Sequence, residues 1–397
     1  MRTPLLLALL LLTTAACQHT RPALSGIPDR NAALDSLNHQ LEAIEATEVL
    51  PGFAVSVFTK DRILYQRGFG FADLATQEPY TPEHTQIAAS ITKTLVGVAL
   101  MNALDEGLLG LDDDVNAHLP FRVVNPAFPE DRITLRMLAS HTSSIADTRT
   151  TDKGYRFREP LDPETFPAAY APLLPVYSMQ EDIPMSDFLR RKLSPDTDLY
   201  HPEVFASDPP GSTYVYSNLG LALLAHIIEI ATGEPFDQYT DSLILQTLGM
   251  DRSTWSLDES LEGSHVTYYN ELYNPVPPYH IITYPDGGLY SSVADMTTYL
   301  QEIIRGGDGE SDLLPQSAFQ LMTSPAFEGL PDGLCWDLSF TGLVGHPGND
   351  IGTATLMYFS PETGIGRILF TNLSIETGAQ EDAFFGIYNT LFEYDLM

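Results

Sequence analysis

Basic side chains are scarce in this chain. Against 53 aspartates and glutamates stand 20 lysines and arginines, a formal charge of −33. Only Lys60, Lys93, Lys153 and Lys192 are lysines. A surface of that sign repels nucleic acid and anionic membranes, so neither is expected as a charge-bound partner. The acidic residues are spread along the chain instead of collected in a tail, similar to proteins from salty surroundings. Stability is therefore expected to rise with molar salt. Cysteine is nearly absent: the pair present, Cys17 and Cys335, is too few for a disulfide framework. The apolar run Leu5 to Leu12 is too short to span a bilayer. What is plentiful is ordinary core material. A hydrophobic fraction of 44% with 10% aromatics in 397 residues excludes wholesale disorder. It allows one large unit or two interlocked lobes.

The N-terminus reads as an export signal over residues 1–17. Arg2 supplies the positive end, Leu5 to Leu12 the apolar stretch, and Thr13 to Ala16 the small residues before Cys17. Small residues directly before a cysteine resemble a bacterial lipoprotein processing site. The expectation is an exported protein facing periplasm or exterior and held to the membrane by lipid on Cys17. An ordinary signal peptide would make it secreted instead. Residues 18–29 form a tether, and residues 30–397 the folded domain.

Within that domain, Asn31 to Glu48 has helical periodicity, with Leu34, Leu37, Leu41 and Ile44 on one face. Phe53 to Phe58 alternates like a strand, and Ile63 to Phe71 is its hairpin return after Lys60-Asp61. An apolar helix ends near Gly107. Residues 108–284 read as helices and long loops, including Leu219 to Thr232 and Phe236 to Leu248. Ala146 to Asp208 is rich in Pro, Asp and aromatics with little periodicity, long enough to be functional. Its tyrosines Tyr155, Tyr170 and Tyr177 are candidate contacts at a site rim. Strand patterns return over Leu334–Phe340, Gly342–Gly345, Thr353–Phe359 and Gly366–Asn372, before a last helix near Glu381–Phe392. The expected fold is α/β of the α+β kind. Strands from both ends make one antiparallel sheet with flanking helices (30–107 plus 285–397), interrupted by a helical lobe (108–284).

Ser90 and Lys93 lie at i and i+3, one helical turn apart on one face. A lone Ser-x-x-Lys is more often ordinary surface. Here Lys93 sits inside an apolar helix, and no other lysine has a serine three residues before it. A serine hydroxyl is a poor nucleophile until a base takes its proton, and a buried lysine can serve. Tyr216 can shuttle a proton, or simply be a core tyrosine. Asn218, two residues on, can hold Lys93 or a substrate carbonyl. In Gly345-His346-Pro347-Gly348-Asn349-Asp350, read as a turn between two strands, Gly348 permits close approach. The N–H of Asn349 could pair with that of Ser90 as an oxyanion hole, and His346 could donate to substrate or to the tyrosine, or be a structural turn histidine.

Ser90-Ile91-Thr92-Lys93, Tyr216-Ser217-Asn218 and His346-Pro347-Gly348 resemble, in order and spacing, the serine β-lactamase and penicillin-binding-protein superfamily. The likeness is to its class C β-lactamase-related branch, which includes esterases and D-amino-acid peptidases. Ile133 to Ile145, Pro210 to Gly220, Leu248-Gly249-Met250 and Gly287 to Ser292 extend it from about Leu50 onward. The resemblance implies a β-lactamase/transpeptidase-like fold, an acyl-enzyme on Ser90, and neither metal nor other cofactor. Where penicillin-recognising members have Lys-Thr-Gly, this chain has His346, Pro347 and Gly348. Proline offers no hydroxyl, and histidine is mostly neutral at pH 7. An ester or uncharged amide is the expected substrate. The alternatives are a β-lactamase or D-Ala-D-Ala carboxypeptidase or D-aminopeptidase, and a non-catalytic binding protein. Ser144 stands where that branch more often has glycine, and the His141 segment reads as structural.

Overall fold

The computed structural model describes residues 30–147, 154–162, 164, 182–262, 264–329, 332–338, 342–375, 378–394 and 396–397. The expected signal, the tether, Cys17, Tyr170 and Tyr177 lie outside them. Helix α1 (Arg30–Glu45) buries Leu37 and Leu41. The hairpin β1 (Gly52–Thr59) and β2 (Arg62–Asp73) follows, then β3 (Glu78–Pro79) and β4 (Gln86–Ile87). Helix α2 (Lys93–Asp105) is buried from Lys93 through Met101. The middle of the chain supplies α3 (Leu135–Ala139), β5 (Tyr155–Phe157), α4 (Met185–Leu193), α5 (Asn218–Thr232) and α6 (Phe236–Thr240). Helix α6 continues into a wider π-helical turn over Asp241–Gln246. Then come α7 (Leu257–Glu262), β6 (Tyr268–Tyr269), β7 (Pro275–Val276), β8 (Tyr279–Ile281), β9 (Tyr290–Ser291), α8 (Val293–Gly307) and α9 (Gln316–Met322). The last elements are β10 (Val344–Asp350), β11 (Thr353–Ser360), β12 (Ile365–Thr371) and α10 (Gly378–Glu393).

The main sheet runs β10-β11-β12-β1-β2-β3, with neighbours antiparallel. Strands from the two ends of the domain meet where β1 pairs with β12, Phe53 opposite Thr371. Alternation divides β1 between two cores. Phe53, Val55 and Val57 join Leu37, Leu41, Leu369 and Ile387 under α1 and α10. Ala54 and Phe58 face the larger core that holds α2, α5 and α8. Each large apolar side chain so buried contributes about 1.5–3 kcal/mol. Helix α5 starts cleanly because Ser217 Oγ accepts from Gly220 N–H at 2.9 Å, and stops at Gly233 with φ 75°.

Two local expectations change. The sequence reads Leu334–Phe340 as a strand. Instead Asp332 to Asp337 folds back on itself, with Cys335 at φ 67° and its N–H donating to Ala139 O at 2.7 Å. The His346 motif, expected in a turn, lies on strand β10 at the sheet edge. A proline is tolerated there because an edge strand leaves half its N–H positions outside the ladder. Nor is the 146–208 segment featureless. Its described part holds β5, α4 and a 3-10 turn at Pro202–Val204. Met185, Phe188, Leu189 and Leu193 of α4 are buried at helical spacing.

Candidate active site

The chain reaches Ser90 under tight backbone control. Ala88 N–H donates to Leu289 O at 2.8 Å, Ile87 N–H to the Tyr268 hydroxyl at 2.8 Å, and Thr355 Oγ1 to Ala88 O at 2.9 Å. Ala89 is held at φ 51°, a left-handed conformation that costs a non-glycine residue about 1–3 kcal/mol. A 3-10 turn over Ala89–Thr92 then leads straight into α2. Ser90 is the second residue of that turn, where N–H groups have no intrahelical partner.

Lys93 is the hub. Its side chain is fully buried, and an ammonium in such a place must be surrounded by acceptors. Nζ donates to Ser90 Oγ at 3.0 Å, to Asn218 Oδ1 at 2.7 Å and to the backbone oxygen of Asp286. Two of these acceptors, Asn218 Oδ1 and Asp286 O, are pure acceptors and fix two N–H directions. The third direction faces a hydroxyl that can accept or donate. An ammonium can therefore donate to Ser90, and a neutral amine can receive the Ser90 proton, without any heavy atom moving. Tyr216 O–H donates to the same Oγ at 2.9 Å, and its ring centroid is 5.1 Å from Nζ. A serine hydroxyl, an amine and a phenol thus share one proton network, the arrangement that acyl transfer by serine uses.

Behind the phenol stands His141. Its ring packs 4.4 Å from that of Tyr216 and edge-on to Tyr214 at 5.8 Å, and Nδ1 accepts from Ser217 N–H at 3.1 Å. Burial, then the nearby Lys93 charge, pushes its pKa well below the ordinary range, so the ring is neutral. Nearby Ser144 takes φ 63°, and its Oγ accepts from Asn125 Nδ2 at 3.1 Å.

Strand β10 forms the other wall. Gly345 exchanges both backbone hydrogen bonds with Asp337, so its N–H and C=O point away from β11. In an antiparallel ladder this alternates, which turns Pro347 and Asn349 outward in the same way. Pro347 thus occupies a position where the ladder needs no N–H, and Asn349 N–H points off the edge. Gly348 brings this edge against the Ser90 turn. A Cβ there would lie 2.8 Å from Ala88 O and 3.1 Å from Ala89 Cβ. The strand edge that carries Asn349 N–H thus runs close against the turn that carries Ser90. His346 is buried, with Nδ1 2.6 Å from Pro347 O. The ring proton sits on Nδ1, which leaves Nε2 as an acceptor. Burial and Lys93 lower its pKa to about 4.

The structure therefore gathers Ser90, Lys93, Tyr216, Asn218, His346, Gly348 and Asn349. Tyr155 is not at the rim. It is buried, with its hydroxyl donating to Asp350 Oδ1 at 2.5 Å. No sequence pattern marks the Asp286 carbonyl or Asp147, whose carboxylate accepts from Asn218 Nδ2 at 2.7 Å. Among the described residues no group of three or more His, Cys, Asp or Glu is placed to hold a metal ion.

A family model described as beta-lactamase matches residues 37–387. The chain is 23% identical over 339 residues to Protein flp of Staphylococcus aureus (strain MRSA252), covering 82% of this chain and 60% of that protein. It is 26% identical over 327 residues to the serine beta-lactamase-like protein LACTB, mitochondrial, of Mus musculus, covering 69% and 58%. It thus spans about 60% of the length of these curated relatives. Its fold is similar to that of a class C beta-lactamase, with TM-score 0.69 at 19% identity over 94% of this chain and 99% of that one. It is also similar to the octameric penicillin-binding protein homologue from Pyrococcus abyssi, with TM-score 0.68 at 24% identity over 90% and 77%.

Proposed function

Because the chain belongs to the beta-lactamase family of serine hydrolases, we propose that it cleaves a neutral ester or uncharged amide through an acyl-enzyme on Ser90. The observation that carries this is the meeting of Lys93 Nζ and the Tyr216 hydroxyl on Ser90 Oγ, at 3.0 and 2.9 Å. As Oγ bonds to the acyl carbon, its proton passes to the Lys93–Tyr216 pair. The carbonyl oxygen takes the charge between the N–H groups of Ser90 and Asn349, a stabilisation worth about 3–4 kcal/mol per donor. Collapse breaks the bond to the leaving group, which receives the proton from Tyr216. Water then attacks the acyl carbon and gives a proton to the same pair, which passes it to Ser90 Oγ as the acyl–Oγ bond breaks.

The preference for neutral substrates rests on His346 and Pro347. A neutral ring with a free lone pair, next to a residue lacking hydroxyl and N–H, gives a carboxylate neither counter-charge nor donor. Export and a lipid anchor on Cys17 belong to the same proposal, supported by Arg2, the Leu5–Leu12 run and the small residues before Cys17. The test sets a neutral p-nitrophenyl ester against a fluorescent penicillin, on wild type and Ser90→Ala. Ser90-dependent ester turnover with little penicillin labelling is expected. Efficient penicillin labelling would favour the cell-wall alternative, and turnover retained by Ser90→Ala would refute the nucleophile.

A further inference from the structure

The Asp147 carboxylate accepts three hydrogen bonds at the start of the 15-residue helix α5. Oδ2 receives Asn218 N–H at 2.7 Å and Asn218 Nδ2 at 2.7 Å, and Oδ1 receives Leu219 N–H at 3.0 Å. With Gly220 N–H on Ser217 Oγ, the first three N–H groups of the helix are all satisfied. An acid at this end also complements the helix dipole. The backbone bonds alone would make Asp147 a cap. The bond from Asn218 Nδ2 makes it more.

An amide has one accepting and one donating end. With Nδ2 committed to Asp147, Oδ1 must face Lys93, which it does at 2.7 Å. The flipped amide would set oxygen against carboxylate and N–H against the Lys93 N–H, so both contacts would become repulsive. We infer that Asp147 is a positioning residue that locks the amide of Asn218, and through it holds Lys93 against Ser90. The stretch carrying Asp147 is itself held by backbone bonds. Ala146 N–H donates to Val204 O at 2.8 Å, Ala206 N–H to Ser144 O at 2.7 Å, and Ile145 bridges Phe205. These bonds pin residues 144–146 against residues 204–206 and so fix the backbone next to Asp147. The catalytic consequence rests on the acyl-enzyme reading above; the lock itself does not.

Two measurements test it. The first is a double-mutant cycle on the rate at which a fluorophosphonate labels Ser90, using Asp147→Ala, Asn218→Ala and both together, with each rate taken per folded molecule. Displacing Lys93 by a fraction of an ångström to 1 Å should slow labelling by about 10- to 100-fold. If Asp147 acts through Asn218, adding Asp147→Ala to Asn218→Ala should cost nothing further. An equal loss in both backgrounds, or no loss in either, overturns the inference. Should Asp147→Ala fail to fold, Asp147→Asn serves: it keeps the shape but turns one accepting oxygen into a donor, and the same loss is expected. The second measurement needs no activity. In Ser90→Ala protein, NMR exchange of the Asn218 side-chain amide protons should be slow with Asp147 and fast with Asp147→Ala. Equal exchange overturns the lock. A lost protection in a protein whose Ser90 never labels would instead overturn the hydrolase reading and leave the lock standing.

Discussion

Gly348→Ala asks whether the approach of β10 to the Ser90 turn is what builds the oxyanion hole. A Cβ at Gly348 would lie 2.2 Å from Thr355 Oγ1, 2.8 Å from Ala88 O and 3.1 Å from Ala89 Cβ. Thr355 cannot step aside cheaply, since its hydroxyl donates to Ala88 O at 2.9 Å. Ala88 O is backbone and the Ala89 methyl has no rotamer to escape into, and both are held by Leu289 O and by the left-handed turn at Ala89. Relief therefore comes from the strand edge retreating by roughly 1 Å, which carries Asn349 N–H away from Ser90. A displacement of that size costs on the order of 100-fold in rate. Complete loss of one oxyanion donor costs about 100- to 1,000-fold. Overpacking should cost about 1–3 kcal/mol of stability, leaving the protein folded at 25 °C. The assay is the pre-steady-state burst of p-nitrophenol from a neutral ester, read beside a urea melt. Acylation at the wild-type rate in folded Gly348→Ala would refute the placement of Asn349 as a donor.

Installing Lys at His346 together with Thr at Pro347 restores a cation and a hydroxyl. Charge-assisted hydrogen bonds of about 1.5–3 kcal/mol should raise labelling by fluorescent penicillin roughly 10- to 100-fold; unchanged labelling would show that these positions do not set the charge preference. Burial raises the Asp332 carboxyl from 3.8 to about 7, against a lowering hydrogen bond from Tyr214. Between those values the folded state holds a proton that the unfolded chain releases, so its stabilisation is complete below 3.8 and lost as pH rises through 7. Asp332→Asn should thus flatten the pH dependence and stabilise by up to about 4 kcal/mol at pH 8, measured by urea melts at pH 5 and 8. His346 runs the other way: lowered from 6.5 to about 4 by burial and Lys93, it contributes stability above 6.5 that falls away toward pH 4. Finally, with a formal charge of −33, the melting temperature should climb with molar salt. A flat response would show that self-repulsion does not limit the fold.

Much of the site is legible in the sequence because its reactive side chains sit close together in regular elements. Ser90 and Lys93 share a helical turn, and Tyr216 and Asn218 flank the cap of α5. The strand β10 is harder to see. His, Pro, Gly, Asn and Asp have little strand preference, and only the edge position, where alternate N–H groups are unused, makes the segment extended. The supports of the site are harder still. A backbone carbonyl such as that of Asp286 carries no sequence sign. The Asp147 carboxylate reaches Asn218 only because the Ala146 and Ala206 backbone bonds bring distant stretches together. His141 reads as structural in sequence, and so it is, as a neutral ring packed against Tyr216.

The central claim is that Ser90 is activated by the pair that shares its hydroxyl. Intact-protein mass after incubation with a fluorophosphonate, run on wild type and Ser90→Ala at low and molar salt, tests it directly. A single phosphonyl adduct on wild type, absent from Ser90→Ala, is the predicted result. No adduct on wild type at either salt, or an equal adduct on both proteins, would contradict it.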